Sequence, residues 1–529
     1  ELYFETHRGT LTSQLRTKAG NRRCEHLLAE VEWLATLAPD GADLRADLEA
    51  LWQRTLTQQF HDILPGSSIA WVHEDAEREH ADIGDRLERL RAAVIDRLVP
   101  SGPHVVNPAH VDRDELVEGI EHDGAPARVR VPAGSITALA DALVPIEDRV
   151  VVSPRAMSNG HLAVRWDDAG SITSIISIDH AREIVPVGAP FGALEIGPDR
   201  PVRYDAWDLE SWTPDLATPL GQADSLRSGC EDDAVGRVRA TYSFGGSTAA
   251  IDYVLRAGSP YLDIEVEVDW HERERLLSIA FPIDVRADTA ACDIQFGHVR
   301  RPTHASTSWD AAKFEVCAHR YVDLGEPSFG VAILNDGRYG HGLFHGRIRT
   351  SLARAARYPD PGADQGRHRV RFRVLPHGPG LDEVVREAQR LVRPLRVETG
   401  RAPSPPAFVR IDGRGVEIDA IKHADDGSGD VIVRCHESLG DRVAATVRSP
   451  TTVDAAWRCN LLEEPLEGVH VADGVPVLSL RPFELVTLRL RPSGQHAPTP
   501  PWRSKPGLLR HGGSGRVAGE VAQGHPGVE

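Results

Sequence analysis

The run Gln58-Gln59-Phe60-His61-Asp62-Ile63-Leu64-Pro65-Gly66-Ser67-Ser68-Ile69 sets an imidazole beside a carboxylate where a helix must stop. A proline excludes the preceding residue from the α region, so a helix entering this run is predicted to end near Leu64. Gly66, Ser67 and Ser68 then read as a turn, and serine there suits the N-cap of a following helix. His61 and Asp62 would therefore occupy a last helical turn at a bend, where side chains can reach into a cleft. Imidazole and carboxylate together form a ligand pair suited to zinc. Taken alone, the pair reads more simply as a helix-end histidine, favoured by the helix dipole by about 0.3–1 kcal/mol, beside a helix-end carboxylate.

The elements that must position this pair follow from hydrophobic spacing. Residues 21 to 98 read as helical. Leu27, Leu28, Val31, Leu34 and Leu37 recur at three- and four-residue intervals, until Pro39-Asp40-Gly41 breaks the pattern. Leu44, Leu48, Leu51, Trp52, Leu56 and Phe60 make a second stripe, ended by Pro65. Ile69, Val72, Ala76, Ile83, Leu87, Leu90, Val94 and Leu98 make a third, ended by Pro100-Ser101-Gly102-Pro103. Stripes of this kind exist to be buried, and three with short connections predict a bundle. From about residue 104 the period becomes two. His161 to Trp166 and Ile172 to Ile176 alternate around Asp167-Asp168-Ala169-Gly170, which is hairpin grammar. Leu262, Ile264, Val266, Val268 and Trp270 alternate with Asp263, Glu265, Glu267 and Asp269, whose carboxylates are expected to form a solvated strand face. A helix is expected over Leu381 to Arg393, with Pro403 to Pro406 as a linker. After Pro492 the chain turns to Pro, Gly and polar residues with little to bury, the composition of a disordered tail.

The fold class expected is α+β: a three-helix bundle followed by mainly antiparallel β-sandwich domains. The divisions expected are a leading segment at 1–20, the bundle at 21–100, and a small β domain or linker at 104–150. A large β-sandwich at 151–400, a terminal β domain at 407–492 and the tail at 493–529 follow. A chain of 529 residues needs several cores. The formal net charge of −18 argues against a nucleic-acid partner, since phosphate binding needs a basic face. No apolar run is long enough to span a bilayer. The six scattered cysteines (Cys24, Cys230, Cys292, Cys317, Cys435 and Cys459) form no CxxC, which argues against thiolate zinc sites. So few in so long a chain suits a reduced, cytoplasmic protein.

Several motifs, in order, resemble the class II α-mannosidases, glycoside hydrolase family 38, most closely the bacterial and cytosolic branch. They begin with Glu1-Leu2-Tyr3-Phe4-Glu5-Thr6-His7-Arg8-Gly9-Thr10-Leu11-Thr12-Ser13-Gln14, then Asn21-Arg22-Arg23-Cys24-Glu25, then Phe60 to Ser68. Tyr204-Asp205-Ala206-Trp207-Asp208, Gln295-Phe296-Gly297-His298, Arg301-Pro302-Thr303-His304, Ser308-Trp309-Asp310 and Tyr358-Pro359-Asp360-Pro361 follow. The resemblance covers roughly residues 1 to 490.

The resemblance implies retaining hydrolysis of α-mannosides with one zinc ion, His61 serving as one ligand. The remaining ligands, the nucleophile and the acid/base are expected in a catalytic barrel that precedes the opening motif. The chain begins at Glu1, and its one methionine is Met157. The chain is therefore expected to be a C-terminal part of a larger enzyme, inactive by itself, with no catalytic residue of its own. Asp62 is expected to bind sugar hydroxyls. Tyr3, His7 and Glu1 are expected near the rim of the site, and Arg354 is expected to reach it from the C-terminal half. His298, His304, Asp310 and Asp360 stand in the motifs, where shaping sandwich loops is the simpler role. The partners implied are α-mannoside oligosaccharides, with no nucleic acid and no membrane; homo-oligomerisation stays open. The alternative from a different class is a non-catalytic β-sandwich subunit that binds carbohydrate or assembles with a separate barrel.

Overall fold

The computed structural model describes residues 6–38, 41–122, 125–406, 408–449 and 451–493. The tail expected to be disordered falls almost wholly outside this set, as do Glu1 and Tyr3. Three long helices come first: α1 (Leu15–Ala35), α2 (Arg45–Gln58) and α3 (Ala70–Leu98). Cys24, Leu27, Leu28, Val31, Leu48, Leu51, Ile83 and Leu87 pack between them, as the stripes require. Further along, Trp33 and Leu34 of α1 join Val94, Ile95 and Leu98 of α3 in a second core. That core is completed by Val433, Val447, Leu488 and other residues near the C-terminus, so the far end of the bundle is buried in the terminal sandwich.

Three details of the helical reading are corrected. Helix α2 ends at Gln58, not near Leu64, and residues 61–66 form turns, so His61 and Asp62 lie beyond the helix rather than in its last turn. Consecutive backbone bonds from Gln59 and Phe60 to Leu56 and Thr57 tighten the chain there, well before Pro65 acts. No serine caps α3: its N-cap is Ile69, without a side-chain hydrogen bond. The second stripe is only partly core, since Leu56 and Phe60 are 56% and 58% exposed.

The middle of the chain is β structure. Among the described residues a nine-stranded antiparallel sheet has Ser247–Arg256, Leu262–Trp270 and Gly366–His377 near its centre. A six-stranded sheet pairs Arg275–Pro282 with Arg347–Arg354. Inward-facing residues of both merge in one large core, threaded by Phe191, Phe281 and Phe372 with ring centroids 5.3 and 5.4 Å apart. The acidic row of Leu262–Trp270 is not simply solvated. Asp263 is 1% exposed and accepts bonds from Arg373 at 2.7 Å and Arg256 at 2.6 Å. Burial pushes its carboxyl up, but these arginines prevail and hold it down to about 2. Glu267 also faces an arginine across the strands, Arg369 at 2.7 Å. The helix Asp382–Val392 covers the outer side of the nine-stranded sheet through Val384, Ala388 and Leu391. A four-stranded and a five-stranded sheet form the terminal sandwich.

Candidate functional site

The turn after α2 presents His61 and Asp62 to solvent. The His61 side chain is 76% exposed and that of Asp62 45%, with Nε2 and Oδ2 3.4 Å apart. The Phe60 ring lies against the imidazole at 4.3 Å between centroids. Asp62 Oδ1 accepts from Ser67 Oγ at 2.9 Å, and its carbonyl accepts from the Ser67 amide at 3.2 Å, closing the turn on itself.

Buried groups hold this turn in place. The Lys18 ammonium donates to the carbonyls of Ser13 at 2.5 Å, Leu64 at 2.8 Å and Pro65 at 3.1 Å, tying α1 to the turn. Burial lowers its pKa, partly opposed by the carboxylate of Asp364. Gly66 has φ +91°, and a Cβ there would stand 2.5 Å from the Ser13 carbonyl oxygen, so the turn and the chain entering α1 meet where only glycine fits. Asp364 accepts from the amides of Gln14 at 3.0 Å and Leu15 at 2.7 Å. A carboxylate there satisfies orphan donors at the start of α1. Burial raises the Asp364 carboxyl pKa against these bonds. The Gln14 side chain, at φ +61°, donates to Asp360 Oδ2 at 2.7 Å.

Arg354 knits the same region from beneath. It is fully buried, bonds Asp199 through two nitrogens at 2.8 and 3.0 Å, and donates to the carbonyls of Asp205, Ala206 and Asp208. With no exposed surface, it cannot touch a sugar as arranged; the expectation is corrected to a clamp beneath the surface. Above it lies an aromatic rim. Tyr204 and Tyr358 are 60% and 63% exposed, and Trp207 lies between them, at 6.1 and 6.5 Å. The Gly9 amide donates to the Trp207 carbonyl at 2.8 Å, which fixes the opening segment to this rim. His7 is exposed nearby in the chain, its Nδ1 3.2 Å from Thr6 Oγ1.

The motifs of residues 8–18, 61–67, 204–208 and 358–364 therefore converge. Of the other motifs, Asn21 and Glu25 each accept from Gln59 Nε2 at 2.9 Å just before the turn, and Arg8 donates to the Ala312 carbonyl at 3.1 Å, where the helix Ser308–Ala311 ends. Asp310 and Thr307 form a capping box for a short helix, with His304 3.7 Å from Asp310. His298 contacts the Ser438 carbonyl at 3.1 Å and the ring of Phe483, joining the large and terminal sandwiches. Sequence reasoning missed Lys18, Asp364 and Asp199. The signal for Lys18 was its spacing: it stands three residues after Leu15 and three before Asn21, all on the buried face of α1.

His61 and Asp62 supply one imidazole and one carboxylate, the donor types zinc takes, but a catalytic zinc site uses three protein ligands. Among the described residues no group of three or more His, Cys, Asp or Glu side chains is placed to hold a metal ion. The pair fits part of a zinc site and does not complete one. No helix of the described residues is long and apolar enough to cross a membrane.

Residues 5–98 match the alpha mannosidase middle domain, 157–362 the glycosyl hydrolases family 38 C-terminal domain, and 415–488 the family 38 C-terminal beta sandwich domain. Alpha-mannosidase 2C1 of Homo sapiens is 33% identical over 522 residues, covering 93% of this chain and 50% of that protein. Alpha-mannosidase of Saccharomyces cerevisiae is 28% identical over 93% of this chain and 48% of its own length. An alpha-mannosidase from Enterococcus faecalis V583 superposes with a TM-score of 0.73 at 15% identity, over 91% of this chain and 68% of that one, a likeness of fold. The chain belongs to glycoside hydrolase family 38, as its middle and C-terminal domains. It spans about half the length of the curated relatives it matches.

Proposed function

We propose that this chain is part of a zinc-dependent retaining α-mannosidase that removes terminal α-mannosides from oligosaccharides in glycan catabolism. In this reading His61 is one metal ligand and Asp62 binds a sugar hydroxyl. His7 stands at the rim, with Tyr204 and Tyr358 offering flat faces to sugar; Tyr3, expected to share that role, lies outside the described residues. The zinc ion, when bound, would orient mannose hydroxyls and favour the distorted ring of an oxocarbenium-like transition state. The nucleophile and the acid/base are assigned to no residue of this chain, which is expected to be inactive by itself. The observation that carries the reading is the exposed His61–Asp62 pair, held by Lys18 and Gly66 against the start of α1. Six cysteines without a disulfide support a cytoplasmic setting.

The test uses the enzyme expressed from the whole gene, including any in-frame coding sequence before Glu1. Release of nitrophenol from an α-mannoside, dependent on zinc and lost in His61→Ala, is the result expected. The competing reading is a non-catalytic carbohydrate-binding or assembly subunit, favoured by the exposed aromatic rim. It wins if a stop codon stands just upstream of Glu1 and the chain binds mannosides without cleaving them.

A further inference from the structure

Three parts of the molecule meet around a cleft: α1, the end of the helix Asp382–Val392, and the terminal sandwich strand Val416–His423. A cavity of about 170 Å³ there is lined by Arg23, His26, Trp33, His110 and Arg393. It opens into a wider cleft of about 660 Å³ that shares His26, Arg393 and Asp419.

The polar groups of the smaller cavity divide into committed and uncommitted. Its three carboxylates are taken: Glu30 accepts from Arg91 at 2.6 Å, Glu88 from Arg396 at 3.2 Å, and Asp419 contacts His436 Nδ1 at 2.9 Å. The guanidiniums of Arg393 and Arg23 and the rings of His26 and His110 make no hydrogen bond among the described residues. Arg393 is partly buried; burial together with the charge of Arg320 lowers its pKa, partly opposed by the carboxylates of Glu417, Asp419 and Glu30, none of which it bonds. A sequestered guanidinium without a bonded acceptor is costly, and its five donors in a fork match the geometry of phosphate or carboxylate. Burial comes first in holding both histidines below their usual range, and the charge of Arg393 adds to it. Each neutral ring keeps one N–H to donate and one bare nitrogen.

We propose that this cleft binds a tetrahedral oxyanion, phosphate or the phosphate end of a monoester, on Arg393 and Arg23 with His26 and His110 donating beside them. Bound there, the anion joins the bundle to the segment that follows the sandwich helix. The site is independent of the mannosidase reading. The wider cleft leaves room for the organic part of a monoester, so free phosphate and an organic phosphate are the two sources to separate.

Equilibrium dialysis of the intact chain against labelled inorganic phosphate, and separately against glycerol 3-phosphate, tests it. Saturable binding of one equivalent is expected, with a rise in melting temperature as ligand is added. Affinity for the monoester exceeding that for phosphate by about tenfold or more assigns the site to an organic phosphate; equal affinity assigns it to the free ion. Arg393→Gln is expected to weaken binding at least about tenfold, the scale of one charge-assisted bond, with an unchanged fold because that side chain makes no internal bond. Arg23→Gln, at an exposed position, is the second variant should the first fail to fold, and is expected to weaken binding several-fold. Arg369→Gln, paired on the sandwich surface, is expected to bind as wild type. Absence of saturable binding of either ligand to about 10 mM, or wild-type affinity in Arg393→Gln, overturns the proposal.

Discussion

His61 shows why a ligand role and a stability role separate at one residue. Its ring is mostly in water and lies against Phe60. His61→Ala is therefore expected to leave stability within about 0.5 kcal/mol of wild type, as exposed positions do. In the enzyme from the whole gene it is expected nearly to abolish turnover and to reduce the zinc retained after dialysis; wild-type activity with full metal content would remove His61 from the ligand set. Phe60→Ala is expected to behave alike in stability. A buried phenylalanine would cost about 3–5 kcal/mol, but this ring is 58% exposed, so a small loss, within about 0.5 kcal/mol, is expected by chemical denaturation. His61 and Asp62 were legible as a pair, and their types pointed to a metal. Their place beyond the helix was not legible, because α2 is closed by backbone bonds from Gln59 and Phe60, well before the proline that marks a stop in the sequence. Arg354 failed in the opposite sense. Its neighbour in sequence is a recognisable motif, while the group that claims it, Asp199, is 155 residues away.

At the scale of elements, the turn after α2 depends on α1 more than on its own sequence. Lys18→Met removes three donated bonds and leaves the carbonyls of Ser13, Leu64 and Pro65 to find water. Hydrogen exchange is expected to quicken at the Ser67 amide, which closes the turn onto Asp62, while the amides of mid-α3 stay protected. Equal quickening in both would mean that Lys18 supports the whole bundle and not the turn. Helix α3 carries a second device. His73 and His80 are buried, and burial lowers both pKa values from the ordinary 6.5 to about 4. The unfolded chain then takes up more protons than the folded one between those two values, so their contribution is complete above pH 6.5 and is lost as pH falls towards 4. Each tenfold difference in proton affinity between the folded and unfolded chain is worth about 1.4 kcal/mol. His80→Gln, which keeps a neutral side chain, is expected to flatten this part of the acid denaturation curve measured by helix circular dichroism. An unchanged slope would place the acid sensitivity elsewhere. The helices themselves were legible because amphipathic periodicity is a local property. The Asp263 carboxylate was misread as solvated because its partners, Arg256 and Arg373, lie on other strands, and alternation within one strand carries no information about them.

The whole molecule is tied across long stretches of chain, and this bears on what it does alone. The described residues place one imidazole and one carboxylate at the candidate site and gather no third metal ligand there. Calorimetry of the isolated chain is therefore expected to show only weak zinc binding, and purified chain is expected to release no nitrophenol from an α-mannoside. Tight stoichiometric zinc uptake would mean that a complete site exists within these residues. The family and the order of its motifs were legible from residues 1 to 490, since motifs such as Tyr358-Pro359-Asp360-Pro361 are local strings. Their convergence on one rim was not, because it is built by buried links such as Gln14 to Asp360 and Arg354 to Asp199.

One of those links sets an order of events during synthesis. The amides that open α1 are satisfied by Asp364, 350 residues further along the chain from Gln14. At about 5–20 residues per second, the ribosome takes roughly 20–70 s to deliver that carboxylate. Throughout that interval α1 is made but uncapped, and the carbonyls that Lys18 must reach are held by no fixed start of the helix. Helix α1 is thus finished long after it has emerged, and a nascent chain arrested before residue 360 would be the species that holding chaperones meet.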